Sequence, residues 1–332
     1  MLDRAYGCLV GGAIGDAMGM PASFFTREKI KKTYGYIEDF IEPELETQSY
    51  HGTLHAGEIT DDTQESVIIA NLLIEKGCFD KVEFERAMKE WAIENKMLES
   101  TVIGPSTRRF LTALIEGRDP EEGAKESATN GSAMRVAPIG IRYHADLEQC
   151  KQAAAQSSVP SHGSAPAVAA ACAVAAACAA GIQGGKTPGE IMDIAAEAAE
   201  YGESVGYDIT APSVSRRIRL VKRLVDENRE KGFSAVLDEL VGIFGASMQV
   251  YESVAIAFGV FYAVGGNAKD GILAAINAGD DADTNGAICG NLCGAYSGAT
   301  ALPNEWKKRV EETSHVDFKV TAEKLLQVNE TA

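Results

Sequence analysis

Basic side chains are in short supply. Lysine and arginine together number 31 against 48 aspartates and glutamates, which leaves a formal charge of -17. Phosphate backbones are gripped by clustered Lys and Arg, so a broad nucleic-acid footprint is excluded. The densest basic run, Arg216 to Arg223, carries Leu220 and Val221 between its charges and reads as a solvated helix face. Phosphate, if bound at all, must be held at one local site in an acidic molecule, where a metal would help. Aromatic residues are also few, at 7%. No C-x-x-C pair occurs among Cys8, Cys78, Cys150, Cys172, Cys178, Cys289 and Cys293. These seven read as free, buried thiols of a reducing, cytoplasmic compartment. The opening residues lack the basic and long apolar regions of a signal peptide. No repeat, low-complexity tail or Pro/Ser linker marks a boundary, so a single domain over residues 1–332 is expected.

What is abundant is small. Ala and Gly dominate a composition that is 45% apolar and 24% charged, as in a globular protein with a sizeable core. Gly7, Gly11, Gly15 and Gly19 fall in i, i+4 spacing and form a smooth ridge for another helix. Helical periodicity predicts helices over 4–19, 62–76, 81–98, 106–117, 147–156, 165–182, 188–201, 212–230, 234–241, 250–264, 269–278, 286–299 and 319–328. Strand signals are confined to Tyr34 to Ile41 and Val136 to Tyr143. The uncharged stretch from Gly163 to Ile182 has the length of a membrane span. Its composition is mostly alanine, with Pro166 and two Cys, so a buried core helix is the reading and no membrane partner is expected. The fold class is all-α.

Two acidic clusters stand far apart. The first, Thr60-Asp61-Asp62-Thr63-Gln64, lies where an amphipathic helix begins; Asp61 and Gln64 have the spacing of a capping box, yet a cap needs only one carboxylate. The second is Asp280-Asp281-Ala282-Asp283-Thr284-Asn285-Gly286, whose like charges repel unless a cation intervenes. It opens like a calcium loop, but the twelfth position is Leu292 where Glu is required. Oxygen-only donors suit Mg²⁺, Mn²⁺ or Ca²⁺ and suit zinc or copper poorly.

Thr60-Asp61-Asp62-Thr63 with Asp281-Ala282-Asp283-Thr284 resembles the paired metal motifs of the ADP-ribosylglycohydrolase family. Gly15-Asp16-Ala17-Met18-Gly19, Asn130-Gly131-Ser132-Ala133-Met134-Arg135 and Ser161-His162-Gly163 resemble further family stretches in the expected order, from about residue 3 to residue 302. The resemblance implies a compact orthogonal multi-helix domain that cleaves the N- or O-glycosidic bond of an ADP-ribosyl group, free or protein-linked. It implies two Mg²⁺ ions, with Mn²⁺ as the alternative, held by Thr60, Asp61, Asp62, Asp281, Asp283 and Thr284. Asp61 or Asp62 would be the base. Asn130, Gly131, Ser132, Ala133, Met134 and His162 would meet the substrate, Gly131 by a turn with positive φ that bares backbone N–H groups. Arg135 either pairs with an anion of the ligand or ties down the loop.

Other residues read more plainly. His51 and His55 have i, i+4 spacing, but Gly52 and the lack of a third N or S ligand argue for a loop rather than a zinc helix. Cys289 and Cys293 read as packing. Gly11-Gly12-Ala13-Ile14-Gly15 has the wrong spacing for a dinucleotide fold. Some family members carry Glu where this chain has Ser23, which puts deADP-ribosylation of proteins in question more than it does the metal site. Phe24 and Phe25 read as core or as the lining of a pocket for a smaller N-riboside. Hydrolysis of a small nucleoside or ribosyl compound, and binding of ADP-ribose without catalysis, are the alternatives.

Overall fold

The computed structural model describes residues 1–328. Among them are eighteen α-helices, three isolated β-bridges and no β-strand, so the fold is all-α. Three helices build the site, α1 (Leu2–Gly19), α2 (Asp61–Lys76) and α4 (Ala282–Ser297), around the core helix α3 (Ala165–Gln183). Neither of the two expected strand segments forms a strand. Residues 34–41 are irregular, and Val136 to Tyr143 contains the helix Ala137–Arg142, whose early proline, Pro138, suits a first turn.

The glycine ridge of α1 finds a second glycine ridge. α4 runs antiparallel to it, with Gly294 against Gly7, Gly290 against Gly11, Gly286 against Gly15 and Ala282 against Gly19. A Cβ at any of these four α1 glycines would collide with backbone of α4 or of the residues that follow it, so the main chains themselves are in contact. This register carries the C-terminal end of α1 to the N-terminal end of α4. α3 passes through the core, with every residue from Pro166 to Ile182 buried against the helices Leu147–Ser158 and Pro188–Val205 and against α4. It is long and apolar enough to cross a membrane, but 94% of that apolar window is buried inside the protein.

Several boundaries differ from expectation. α4 starts at Ala282 instead of residue 286, because Gly279 (φ 85°) and Asp280 (φ 58°) complete the turn ahead of it. Asp283 and Thr284 therefore lie in the first turn of α4. Thr60, not Asp61, caps α2 by accepting from the Asp62 N–H, while Gln64 accepts from the Trp91 indole at 3.1 Å. The capping-box reading is thus replaced by a one-residue cap. Cys78 is exposed, unlike the other six thiols. The three β-bridges, Phe25–Asp280, Thr129–Gln249 and Ser164–Tyr207, pin loops that include the residues just ahead of α3 and α4.

Candidate active site

The C-terminal part of α1 anchors the first acidic cluster. Asp16 is fully buried and accepts from Thr60 N–H at 3.1 Å, Thr60 Oγ1 at 2.8 Å, Thr63 N–H at 3.2 Å and Thr63 Oγ1 at 2.6 Å. The start of α2 is thereby fixed on α1, as the start of α4 is fixed by the glycines. Asp61, Asp62, Asp281, Asp283 and Thr284 consequently face one cleft, which encloses about 50 Å³. Thr60 lies behind it, turned to Asp16.

Charge in this cleft is poorly compensated. Burial, reinforced by Glu65, Asp283 and Asp16, holds Asp61 well above the usual carboxylate range. Burial and four neighbouring aspartates do the same to Asp62, and burial with Asp283 does it to Asp281. Burial also raises Asp16 to about 6, against the hydrogen bond from Thr63. Asp283 is the exception. Burial pushes it up, but hydrogen bonds from His51 and Ser23, together with the charge of His51, bring it below its ordinary value. Among the described residues no Lys or Arg lines the cleft.

Two buried oxygens test the fit of these residues to a hard cation. Asp62 Oδ1 is buried without a hydrogen-bond partner. Thr60 Oγ1 has one proton, directed to Asp16 at 2.8 Å, yet it also lies 3.1 Å from Asp62 Oδ2. Two acceptors at that distance are relieved by a proton on Asp62 or by a cation. Among the described residues no three His, Cys, Asp or Glu side chains are already gathered around a single metal position. The donors instead face the cleft from two helix starts. Their oxygen-only chemistry and unmet charge fit a divalent hard cation.

The opposite wall is built from residues 129–134 and 162. Asn130 donates to Asp281 Oδ2 at 2.5 Å and to Ser253 Oγ at 3.1 Å, which couples this wall to the second cluster. Asn130, Gly131, Met134 and His162 line the cleft, whereas Ser132 and Ala133 do not. Ser132 donates instead to the Ala167 carbonyl at 3.2 Å, and Ala133 is wholly buried. The reason is local: Gly131–Met134 form one helical turn rather than an open phosphate loop, so part of the turn faces the core. Gly131 needs no positive φ. A Cβ there would stand 2.8 Å from the His162 ring, and close packing requires glycine. Arg135 is fully buried and pairs with Glu65, so it ties the loop down.

Four contributors were not among the expected site residues. His51 lines the cleft from the loop before α2, with Nε2 3.1 Å from Asp283 Oδ2. Asp16 and Glu65 are single acids within helices, and buried Ser23 helps to lower Asp283 while its hydroxyl lies 3.5 Å from the Gly19 carbonyl. Glu65 lies one helical turn beyond Asp61, a spacing that could have placed it on the same side. Phe24 (φ 65°) lines the cleft and contacts the Tyr50 ring at 4.7 Å, while Phe25 is buried in the core.

Comparison with known proteins gives a consistent result. The ADP-ribosylglycohydrolase family model matches residues 1–332. An uncharacterised protein of Archaeoglobus fulgidus is 30% identical over 96% of this chain and 94% of its own. The ADP-ribosyl-[dinitrogen reductase] glycohydrolase of Rhodospirillum rubrum is 26% identical over 98% of this chain and 95% of its own. A solved structure titled ADP-ribosylglycohydrolase-related protein complex superposes with a TM-score of 0.71 at 23% identity, covering 99% of this chain and 98% of that one, and so shares its fold.

Proposed function

The chain belongs to the ADP-ribosylglycohydrolase family and is a glycohydrolase, and on that premise we propose that it hydrolyses the N- or O-glycosidic bond of an ADP-ribosyl group in this cleft with two Mg²⁺ ions. The observation that carries the metal reading is the pair of acidic helix starts facing one cleft, with Asp62 Oδ1 buried and unpartnered. Asp61, Asp62, Asp281, Asp283 and Thr284 would hold the ions, with Thr60 steadying Asp62 from behind the cleft and Mn²⁺ as the substitute. Bound Mg²⁺ would supply positive charge that orients ribose hydroxyls and acidifies a water.

The side chains divide the remaining work. Asp62 Oδ1, free of any donor, is the atom best able to take a proton from that water, with Asp61 the neighbouring alternative. Asn130 holds Asp281 in place, and His51 holds Asp283. His162 closes the wall beside Gly131, where the reacting sugar would rest. The free cysteines support a reducing, cytoplasmic setting.

A second reading, hydrolysis of a smaller N-riboside, is favoured by the lack of Lys or Arg among the described residues that line the cleft, which leaves a pyrophosphate without a cationic side chain. Both readings are tested by melting the protein in EDTA or Mg²⁺, each with ADP-ribose, ribose 5-phosphate or a nucleoside. A ligand that binds only the folded state at 100 times its Kd adds about 2.7 kcal/mol. Mg²⁺-dependent stabilisation by ADP-ribose is expected. A response to the smaller ribosides alone selects the second reading, and indifference to divalent ions overturns the metal centre.

A further inference from the structure

A buried chain of hydrogen bonds runs from α2 to the wall of the cleft, and hydrolysis as described does not use it. Glu65 Oε2 and Arg135 Nη1 stand 2.5 Å apart, both side chains fully buried. Arg135 Nη2 donates to the Ser157 carbonyl at 3.2 Å and to Ser161 Oγ at 2.6 Å. Ser161 Oγ lies 2.8 Å from His162 Nδ1, and His162 Nε2 lies 3.1 Å from Thr129 Oγ1, a lining residue of the cleft. Thr129 passes its own proton to Ser106 Oγ at 2.9 Å.

Proton counting along this chain sets the state of the imidazole. A guanidinium only donates, so Ser161 Oγ accepts from Arg135 and has one proton left to give. His162 Nδ1 is the neighbour that can take it, and must then carry a lone pair. The neutral ring accordingly has its proton on Nε2, on the side of Thr129. The opposite tautomer would leave the Ser161 proton stranded in a buried site. It would also aim an N–H at an oxygen already polarised by the Arg135 cation. Burial, with the charges of Arg135 and Arg109, separately keeps the ring neutral by pushing His162 well below its ordinary value.

We infer that Glu65, Arg135 and Ser161 are positioning residues that lock His162 as the Nε2–H tautomer, so that it meets an oxygen of the bound ribosyl substrate as a hydrogen-bond donor. The donor role rests on the function proposed above; the tautomer does not. In the unliganded protein Thr129 takes the Nε2 proton, and an oxygen acceptor of the substrate shares or replaces it.

The test begins with two-bond ¹H–¹⁵N spectra of histidine-labelled protein, with the His162 signal assigned from its loss in His162→Gln. The expected pattern is a lone-pair Nδ1 and a protonated Nε2 from about pH 5 to about pH 8. Ser161→Ala removes the donor to the Nδ1 lone pair and should move the Nδ1 ¹⁵N signal downfield, and Ser161→Thr should restore it. An Nδ1–H ring in the wild type, or an unmoved Nδ1 signal in Ser161→Ala, overturns the relay, and a purely packing role for Ser161 would leave that signal alone. Titration of the Mg²⁺-loaded protein with ADP-ribose reads the donor role. His162→Gln, whose amide N–H reaches the Nε2 position, should bind within about threefold of wild type. His162→Asn, which reaches only the Nδ1 position, should bind about tenfold more weakly. Equal weakening in the two variants overturns the donor role. If the wild type has the Nε2–H ring yet binds no ADP-ribose, the ADP-ribosyl reading fails while the relay stands. The same two variants, titrated with ribose 5-phosphate, then decide the donor role.

Discussion

His51 Nε2 lies 3.1 Å from Asp283 Oδ2, with both side chains buried. The loop before α2 thus reaches across to the first turn of α4 and supplies a donor to one of the proposed metal carboxylates. A hydrogen bond to a charged group contributes about 1.5–3 kcal/mol. His51→Ala should therefore lower the stability of the EDTA-treated protein by about that amount in urea. The loss should be smaller in Mg²⁺, because a cation would satisfy the same carboxylate. An equal loss in both conditions would show that Asp283 is not a metal ligand.

Acidity acts on the cleft in a definite direction. Asp61, Asp62 and Asp281 are held well above the ordinary carboxylate range by burial and by one another, and burial raises Asp16 to about 6. A group raised in the folded state contributes stability at low pH that is lost as pH rises through its folded value. Asp283, which is lowered, works the other way: its contribution is present above its ordinary value and is lost as pH falls through its folded one. Buried, neutral His162 also works as Asp283 does, but the raised carboxylates outnumber these two, so from the ordinary carboxylate range up to about pH 6, where Asp16 titrates, the chelated protein should melt lower as pH increases. Saturating Mg²⁺ should flatten this slope. A melting temperature that rises with pH in EDTA would contradict the assignment.

Asp62→Asn separates stability from activity. The substitution keeps the shape of the side chain and removes one charge from a repulsive group. Without metal, the variant should be as stable as wild type or more so. With Mg²⁺, turnover should fall at least about 100-fold, the usual scale of a lost general base. Urea denaturation and steady-state hydrolysis on the same preparation check both halves, and retained turnover would remove Asp62 from the mechanism.

Legibility in the sequence followed the range of the interactions. The glycine ridge of α1 and the two acidic helix starts were readable because each is a local pattern of spacing. Their meeting was not, since the register of Gly15 against Gly286 depends on the packed fold. The roles of Asp16, His51 and Glu65 were hidden for the same reason: each acts on a partner in another element or through burial. The stretch from Asn130 to Met134 misled because side-chain direction depends on whether a Gly-containing segment opens as a loop or closes as a helical turn. Here it closes, which turns Ser132 toward Ala167 and Ala133 into the core.

The glycine contact between α1 and α4 links packing directly to the site. A Cβ at Gly15 would run into the Gly286 carbonyl, and backbone cannot swing aside as a flexible side chain can. Gly15→Ala should force α1 and α4 apart at a cost of about 1–3 kcal/mol or more. Asp16 is the next residue and Asp283 lies one turn from Gly286, so the same displacement should weaken Mg²⁺ binding. Gly242→Ala is the control: it lies inside the helix Phe233–Phe244, and its added Cβ meets nothing within 4 Å. That change should be neutral or stabilising by up to about 1 kcal/mol, through helix propensity alone. Chemical denaturation and Mg²⁺ titration of both variants compare the two sites. If Gly15→Ala were as benign as Gly242→Ala, the close approach of α1 and α4 would not be what holds the two acidic clusters together.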